Sequence, residues 1–140
     1  MKRTSILIIF CSLLAASSLF AQNSPSLRVK VPFRFTVASQ TLPAGEYLIS
    51  TVQPERTIRI EGAGGTVSLI QTVSSTYSIR PASSSRLVFR EYGDSYFLEE
   101  IWSAGSDAGR TLPQGKREIE MAQGGMKPQI VSLAGASSGR

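Results

Sequence analysis

Four carboxylates fall within ten residues of this chain: Glu91, Asp94, Glu99 and Glu100. Two carboxyl groups placed on either side of a glycosidic bond can hydrolyse it, one as acid and the other as base or nucleophile. Glu99 and Glu100 are adjacent, so on a strand they point to opposite faces and cannot flank one bond. Glu91 and Glu100 share a face, but Phe89 and Leu98 lie between them. Glu99 reads more simply as the diagonal cross-strand partner of Arg90. The other residues able to do chemistry are Arg28, Lys30 and Arg34, which alternate along one strand face and form a basic stripe. Such a stripe fits an anionic component of a cell envelope, while the plainer reading is a solvated face whose charges protect an exposed edge.

What is missing narrows the chemistry further. The chain has 140 residues, 15 Lys and Arg, 10 Asp and Glu, no His, and one Cys. Without His there is no Ser-His or Cys-His pair and no imidazole ligand for a metal. No Ser or Thr stands three residues before a Lys beyond the first segment, and Gly62–Gly65 lacks the Lys-Ser/Thr ending of a phosphate loop. No acidic run has the spacing of a calcium loop. These gaps imply no cofactor, no metal and no catalytic residue. Tyr47, Tyr92, Tyr96, Phe97 and Trp102 could form a sugar-stacking platform, but aromatics at strand spacing are first of all core and cross-strand packing.

The first segment is an address. Lys2 and Arg3 precede an uncharged run, Ile6 to Ala21, that has the layout of a secretory signal peptide. At 16 residues the run is short for a membrane span. Cleavage after Ala21 leaves the polar Gln22-Asn23-Ser24-Pro25 at the new terminus; cleavage after Ser18, with Ala16 before it, is the alternative. Cys11 follows Phe10, where lipidation wants a small residue, and it leaves with the leader. The exported chain then has no thiol and must be held by its core. Without Lys2 and Arg3 the balance is 13 basic against 10 acidic residues, or +3. That is too even, and too little clustered, for a sequence-specific nucleic-acid binder.

The elements that would position these residues are strands. Leu27 to Val37 alternates strictly, with Leu27, Val29, Val31, Phe33, Phe35 and Val37 on one face. Pro32 within it marks an edge or a bulge. Pro43-Ala44-Gly45 turns into Glu46–Val52, and Thr57–Glu61 is joined by a Gly-rich loop to Thr66–Val73, where Val67, Leu69 and Val73 share a face. Ser74–Ser85 reads as a long mobile connection with a short extended piece at Tyr77–Arg80.

A two-residue turn at Gly93-Asp94 pairs Tyr92 with Ser95, Phe89 with Leu98 and Leu87 with Glu100. Leu87, Phe89, Tyr96, Leu98 and Trp102 then face the core, and Val88, Arg90, Phe97, Glu99 and Ile101 face away. Gly115 serves as the N-cap of a short helix, with Glu118 three residues later completing an imperfect capping box, and Gly124-Gly125 ends it. Its docking rests on Ile119 and Ala122, because two turns do not persist alone. Gln129–Ala134 is a last strand. Residues 1–21 are thus a signal peptide, 22–26 a linker, 27–134 one β domain and 135–140 a flexible tail. Six or seven strands with one C-terminal helix make a single antiparallel barrel or sandwich.

The blocks Val31–Phe35, Leu42–Tyr47, Leu87–Trp102 and Gly109–Glu118, in that order, resemble a family of small exported bacterial proteins with a β-rich domain behind a signal peptide. The resemblance implies export to the periplasm or beyond and a compact β domain, and it brings no activity or active-site residue with it. Relatives in that family often carry His where Arg90 stands and Ser where Gly115 stands. The expectation is a non-enzymatic β domain of the bacterial envelope or exterior, acting by binding or as a structural accessory, with no membrane span after cleavage. The alternatives are a carboxylate-based hydrolase of glycans or lipids, and a carrier with an apolar cavity lined by Val29, Phe33, Phe35, Phe89 and Leu98.

Overall fold

The computed structural model describes residues 26–52, 56–71 and 74–138. The signal segment with its cleavage site, linker residues 22–25, Val73 and residues 139–140 lie outside the described residues. In chain order the first strands are β1 (Ser26–Val31), β2 (Phe35–Val37), β3 (Gln40–Leu42), β4 (Gly45–Val52), β5 (Thr57–Gly62) and β6 (Val67–Gln71). They are followed by β7 (Ser74–Tyr77), β8 (Arg86–Tyr92), β9 (Ser95–Trp102), β10 (Ala108–Thr111), the helix α1 (Lys116–Gln123), β11 (Gln129–Ala134) and β12 (Ala136–Ser138). The fold is mainly β, with more and shorter strands than expected.

Two sheets result. The first runs β12-β1-β4-β5-β6 and the second β11-β8-β9-β10-β7, with β2 and β3 attached through β9. Every pairing is antiparallel except β2 on β9, which is parallel and makes the second sheet mixed. Among the described residues neither sheet closes, so they form no closed barrel.

The expected eleven-residue strand is two strands on different sheets. β1 ends at Val31 because Pro32 has no N–H to extend the ladder, and β2 begins after three intervening residues, beside β9. The alternation survives the break because both sheets look into one interior. Leu27, Val29, Val31, Phe35 and Val37 are all buried in a single cluster with Leu87, Phe89 and Leu98. Phe89 sits at its centre, edge-on to Phe33 at 5.2 Å and to Phe35 at 5.5 Å. Side chains of this size contribute about 1.5–3 kcal/mol each when fully buried, and with no thiol beyond Cys11 in the sequence this burial must carry the fold.

The Gly93-Asp94 hairpin forms in the expected register as far as Phe89 opposite Leu98. A β-bulge then intervenes: Val88 pairs with Glu100 and Leu87 with Ile101, leaving Glu99 as the extra residue. The slip exchanges the faces beyond it. Ile101, not Trp102, enters the main core, while Trp102 packs on the outer face with Val88 and Ala82.

Other corrections follow from long-range pairing. Ser74–Tyr77 is a strand, β7, hydrogen-bonded to β10. The rest of the connection is tied to the 103–107 turn, with Ala82 N–H donating to Ser106 O and Gly105 N–H to Ala82 O, both at 2.8 Å. The face shared by Val67 and Leu69 looks outward, and Ser68 and Ile70 are the buried residues of β6. Sheet structure also continues into the expected tail, where β12 pairs with β1. Gly135 permits that crossing, since a Cβ there would lie 2.4 Å from Leu27 Cδ1.

Helix α1 starts and stops where its glycines place it, but it does not dock through Ile119, which is 39% exposed, or Ala122, also exposed. Its buried residue is Glu118, 3% exposed. The sheet beneath presents Arg90, so the helix turns a carboxylate inward rather than an apolar stripe.

Candidate functional site

The bulge changes the geometry of the acids. Glu99 accepts a close hydrogen bond from Arg90 Nη2, and Glu100 accepts from Trp102 Nε1 at 2.8 Å. Both carboxylates therefore lie on the outer face of the second sheet, contrary to the alternation expected of an unbroken strand. Glu100 is thereby removed from the face of Glu91. Glu91 accepts from the Tyr96 hydroxyl at 2.8 Å, and Asp94 is exposed in the turn. The Arg90–Glu99 partnership is the one expected from diagonal pairing. What sequence reasoning missed is the third member: Arg90 Nη1 donates to Glu118 Oε1 at 2.8 Å, and Gln114 Nε2 reaches the same oxygen at 3.3 Å.

One guanidinium thus bridges two carboxylates, one from β9 and one from α1. Burial acts to lower the Arg90 pKa, but the hydrogen bonds and charges of Glu118 and Glu99 outweigh it and hold the group above its ordinary value. Tyr92 lies beside this cluster, edge-on to Phe97 at 5.8 Å. Burial, reinforced by the Glu118 charge, raises the Tyr92 pKa. Both carboxylates accept from the one guanidinium, so the cluster ties α1 to the second sheet. The only sequence signal for the third partner was Glu118 at the third position of the helix, which read as half of a capping box.

Tyr96 stacks on Phe33 with ring centroids 3.8 Å apart, so one ring face is covered. Its hydrogen bond to Glu91 raises its pKa. Burial does the same for Tyr47, whose hydroxyl donates to Pro43 O at 2.6 Å. The fold therefore holds three phenols protonated more firmly than the unfolded chain does. Their contribution is complete below the ordinary value of 10.0 and is lost as the pH rises through their higher native values. Because the sequence has no His, the urea midpoint should stay level from about pH 6 to about pH 9. It should then fall at alkaline pH as tyrosinate absorbance appears. Native tyrosinate formation in one step at the free-tyrosine value would contradict this assignment.

The basic residues do not form a continuous stripe. Arg28 and Lys30 are exposed on the outer face of β1, while Arg34 is exposed in the crossover between sheets. Lys30 stands opposite Glu46 in the β1–β4 register. Arg28, Glu46 and Glu61 border a shallow hollow of about 290 Å³ beside the Gly62–Gly65 loop. Positive and negative groups alternate there, so the face offers no purely anion-attracting field.

The larger concavity is a cleft of about 480 Å³ where the two sheets part at one end of the core. Leu27, Ile49, Ile58 and Ile101 form its apolar floor, and Ser50, Thr51, Ser103, Ser106, Asp107 and Arg110 ring it with hydroxyls and one charge of each sign. An apolar floor with a few polar groups at the rim is the ordinary form of a small-molecule site. The five residues expected to line a carrier cavity are instead packed together in the core. Ile101 reaches the cleft because of the β9 bulge, which alternation alone could not reveal. Among the described residues no group of three or more Cys, Asp or Glu could hold a metal ion, and no helix is long and apolar enough to cross a membrane. No protein-family model, curated protein or solved structure matches this chain.

Proposed function

We propose that this chain is the precursor of an exported, non-enzymatic β-sandwich domain of the bacterial envelope or exterior. It acts by binding a small ligand with an apolar body and a hydroxyl-bearing end in the cleft between its sheets. The observation that carries the reading is the cleft, with four buried aliphatic side chains as floor and a rim of hydroxyls. The leader-like start supports export, and the engagement of Glu91, Glu99, Glu100 and Glu118 by Tyr96, Trp102 and Arg90 supports binding over hydrolysis.

The test is native mass spectrometry of the protein recovered after expression of the full chain in a bacterium. The expected result is an extracytoplasmic species that begins near Gln22 and carries a small-molecule adduct. Ala108→Trp, which fills the cleft, should lose the adduct while melting as cooperatively as wild type. A full-length cytosolic species would defeat the export reading, and an adduct retained by Ala108→Trp would defeat the cleft.

A further inference from the structure

We propose that β6 is a self-association edge, and that two copies of this chain join their first sheets antiparallel across a two-fold axis that places Ser68 opposite Ser68 of the second copy. β6 is the terminal strand of its sheet, paired among the described residues with β5 alone. Edge strands in stable monomers are commonly blunted with a charge, a proline or a bulge. The β6 sequence, Val-Ser-Leu-Ile-Gln, has none of these. On its outer face Val67 and Leu69 are 45% and 65% exposed.

Two independent observations select the occupant and the register. The first is Ser68, which is 4% exposed and whose Oγ has no hydrogen-bond partner. A buried hydroxyl left without a partner is destabilising, and a second Ser68 across the edge would supply both donor and acceptor. The second is the direction of the backbone groups. Gly62 N–H donates to Thr66 O at 2.8 Å, and alternation from that bond turns the polar groups of Ser68 and Ile70 toward β5. Val67, Leu69 and Gln71 consequently present their N–H and C=O groups to the open edge.

With Ser68 on the axis, Val67 of one copy exchanges backbone hydrogen bonds with Leu69 of the other. The two serines then form the closer, non-hydrogen-bonded pair of the ladder. The same register lays Val67 against Leu69 of the second copy and covers both exposed side chains. No like charges oppose one another: β6 is uncharged, and on neighbouring β5 Arg59 and Glu61 already pair at 3.2 Å.

Cysteine crosslinking in a full-length Cys11→Ser background tests the inference, since no other Cys remains. Cα atoms in a non-hydrogen-bonded antiparallel pair are about 4.5 Å apart, within disulfide range. Ser68→Cys should give a disulfide dimer on mild oxidation, whereas Leu69→Cys, which faces Val67 of the second copy, should not. Adding Leu69→Lys to Ser68→Cys should bring crosslinking to background without changing the melting temperature. By sedimentation, wild type should show a mass that climbs toward twice the monomer with concentration, and Leu69→Lys should not. Efficient crosslinking through Leu69→Cys would overturn the register. A monomeric mass at all concentrations, or capture of a different protein by Ser68→Cys, would overturn self-association.

Discussion

Arg90→Met is expected to lower the unfolding free energy by about 3 kcal/mol, read from the urea midpoint. The guanidinium holds two carboxylates at once, and Glu118 is nearly sealed, with its side chain 4% exposed. Removing the cation leaves Glu118 charged, dehydrated and without its partner, which is the expensive way to break an ion pair. The helix has little else to hold it, because α1 spans eight residues, Ile119 and Ala122 are exposed and Met121 is only half-buried. Near-ultraviolet circular dichroism should therefore report the release of Tyr92 and Phe97 together with the loss of stability.

The paired variant Arg90→Met/Glu118→Leu separates this mechanism from simple cavity formation. With both charges gone and an apolar contact in their place, most of the lost stability should return, leaving only the partly exposed Glu99 unpaired. If the double variant is no more stable than Arg90→Met, the ion pair is not what docks the helix.

Gly115→Ala should be comparably damaging, by about 3 kcal/mol, the upper end of the range for an overpacked site. An added Cβ would lie 1.8 Å from Ala38 O and 2.8 Å from Ala38 C. These are backbone atoms and cannot rotate away. Ala38 is itself constrained, with φ of 53° in the tight turn from β2 to β3. Alanine is also a poorer N-cap than glycine, so the replacement gains nothing at a helix start that has no side-chain cap. Here it should push α1 off the β2–β3 hairpin and pull Glu118 from Arg90. Gly64→Ala provides the control: nothing lies within 4 Å of that site, and the expected change is under about 0.5 kcal/mol.

The two expectations share a lesson about the residues involved. Gly115 reads in the sequence as a weak cap, and the absence of a side chain there looks like a defect. In the fold it is the condition for close approach between elements more than seventy residues apart. Glu118 reads as a capping-box acid and turns out to be the buried anchor of the helix. Both misreadings have one source: a local pattern assigns a residue to its own element, whereas its role depends on what the other elements bring to it.

The strands near their turns were legible. Pro43-Ala44-Gly45 and Gly93-Asp94 imposed their turns through local backbone preference. The register of the second hairpin held from Tyr92–Ser95 to Phe89–Leu98 because each pair is dictated by the one before it. At Glu99 that inheritance failed. A bulge has no strong local signature, and one extra residue moved Ile101 into the core and put Glu99 and Glu100 on the same face. The cleft was equally invisible, since it lies between sheets whose mutual placement no short segment encodes.

Composition and period-two alternation alone determined that this chain is a β protein held by its core, without imidazole chemistry, and which residues of β1 and β2 are buried. Those properties follow from side-chain type and from neighbours a few positions away. Tertiary structure decided that the alternating run divides at Pro32 between two sheets, that Ala136–Ser138 completes the first of them, and that Arg90 gathers Glu99 and Glu118. Each of these is a choice among partners far apart in the chain, settled by which arrangement buries the most apolar surface while leaving the fewest charges and backbone groups unmatched.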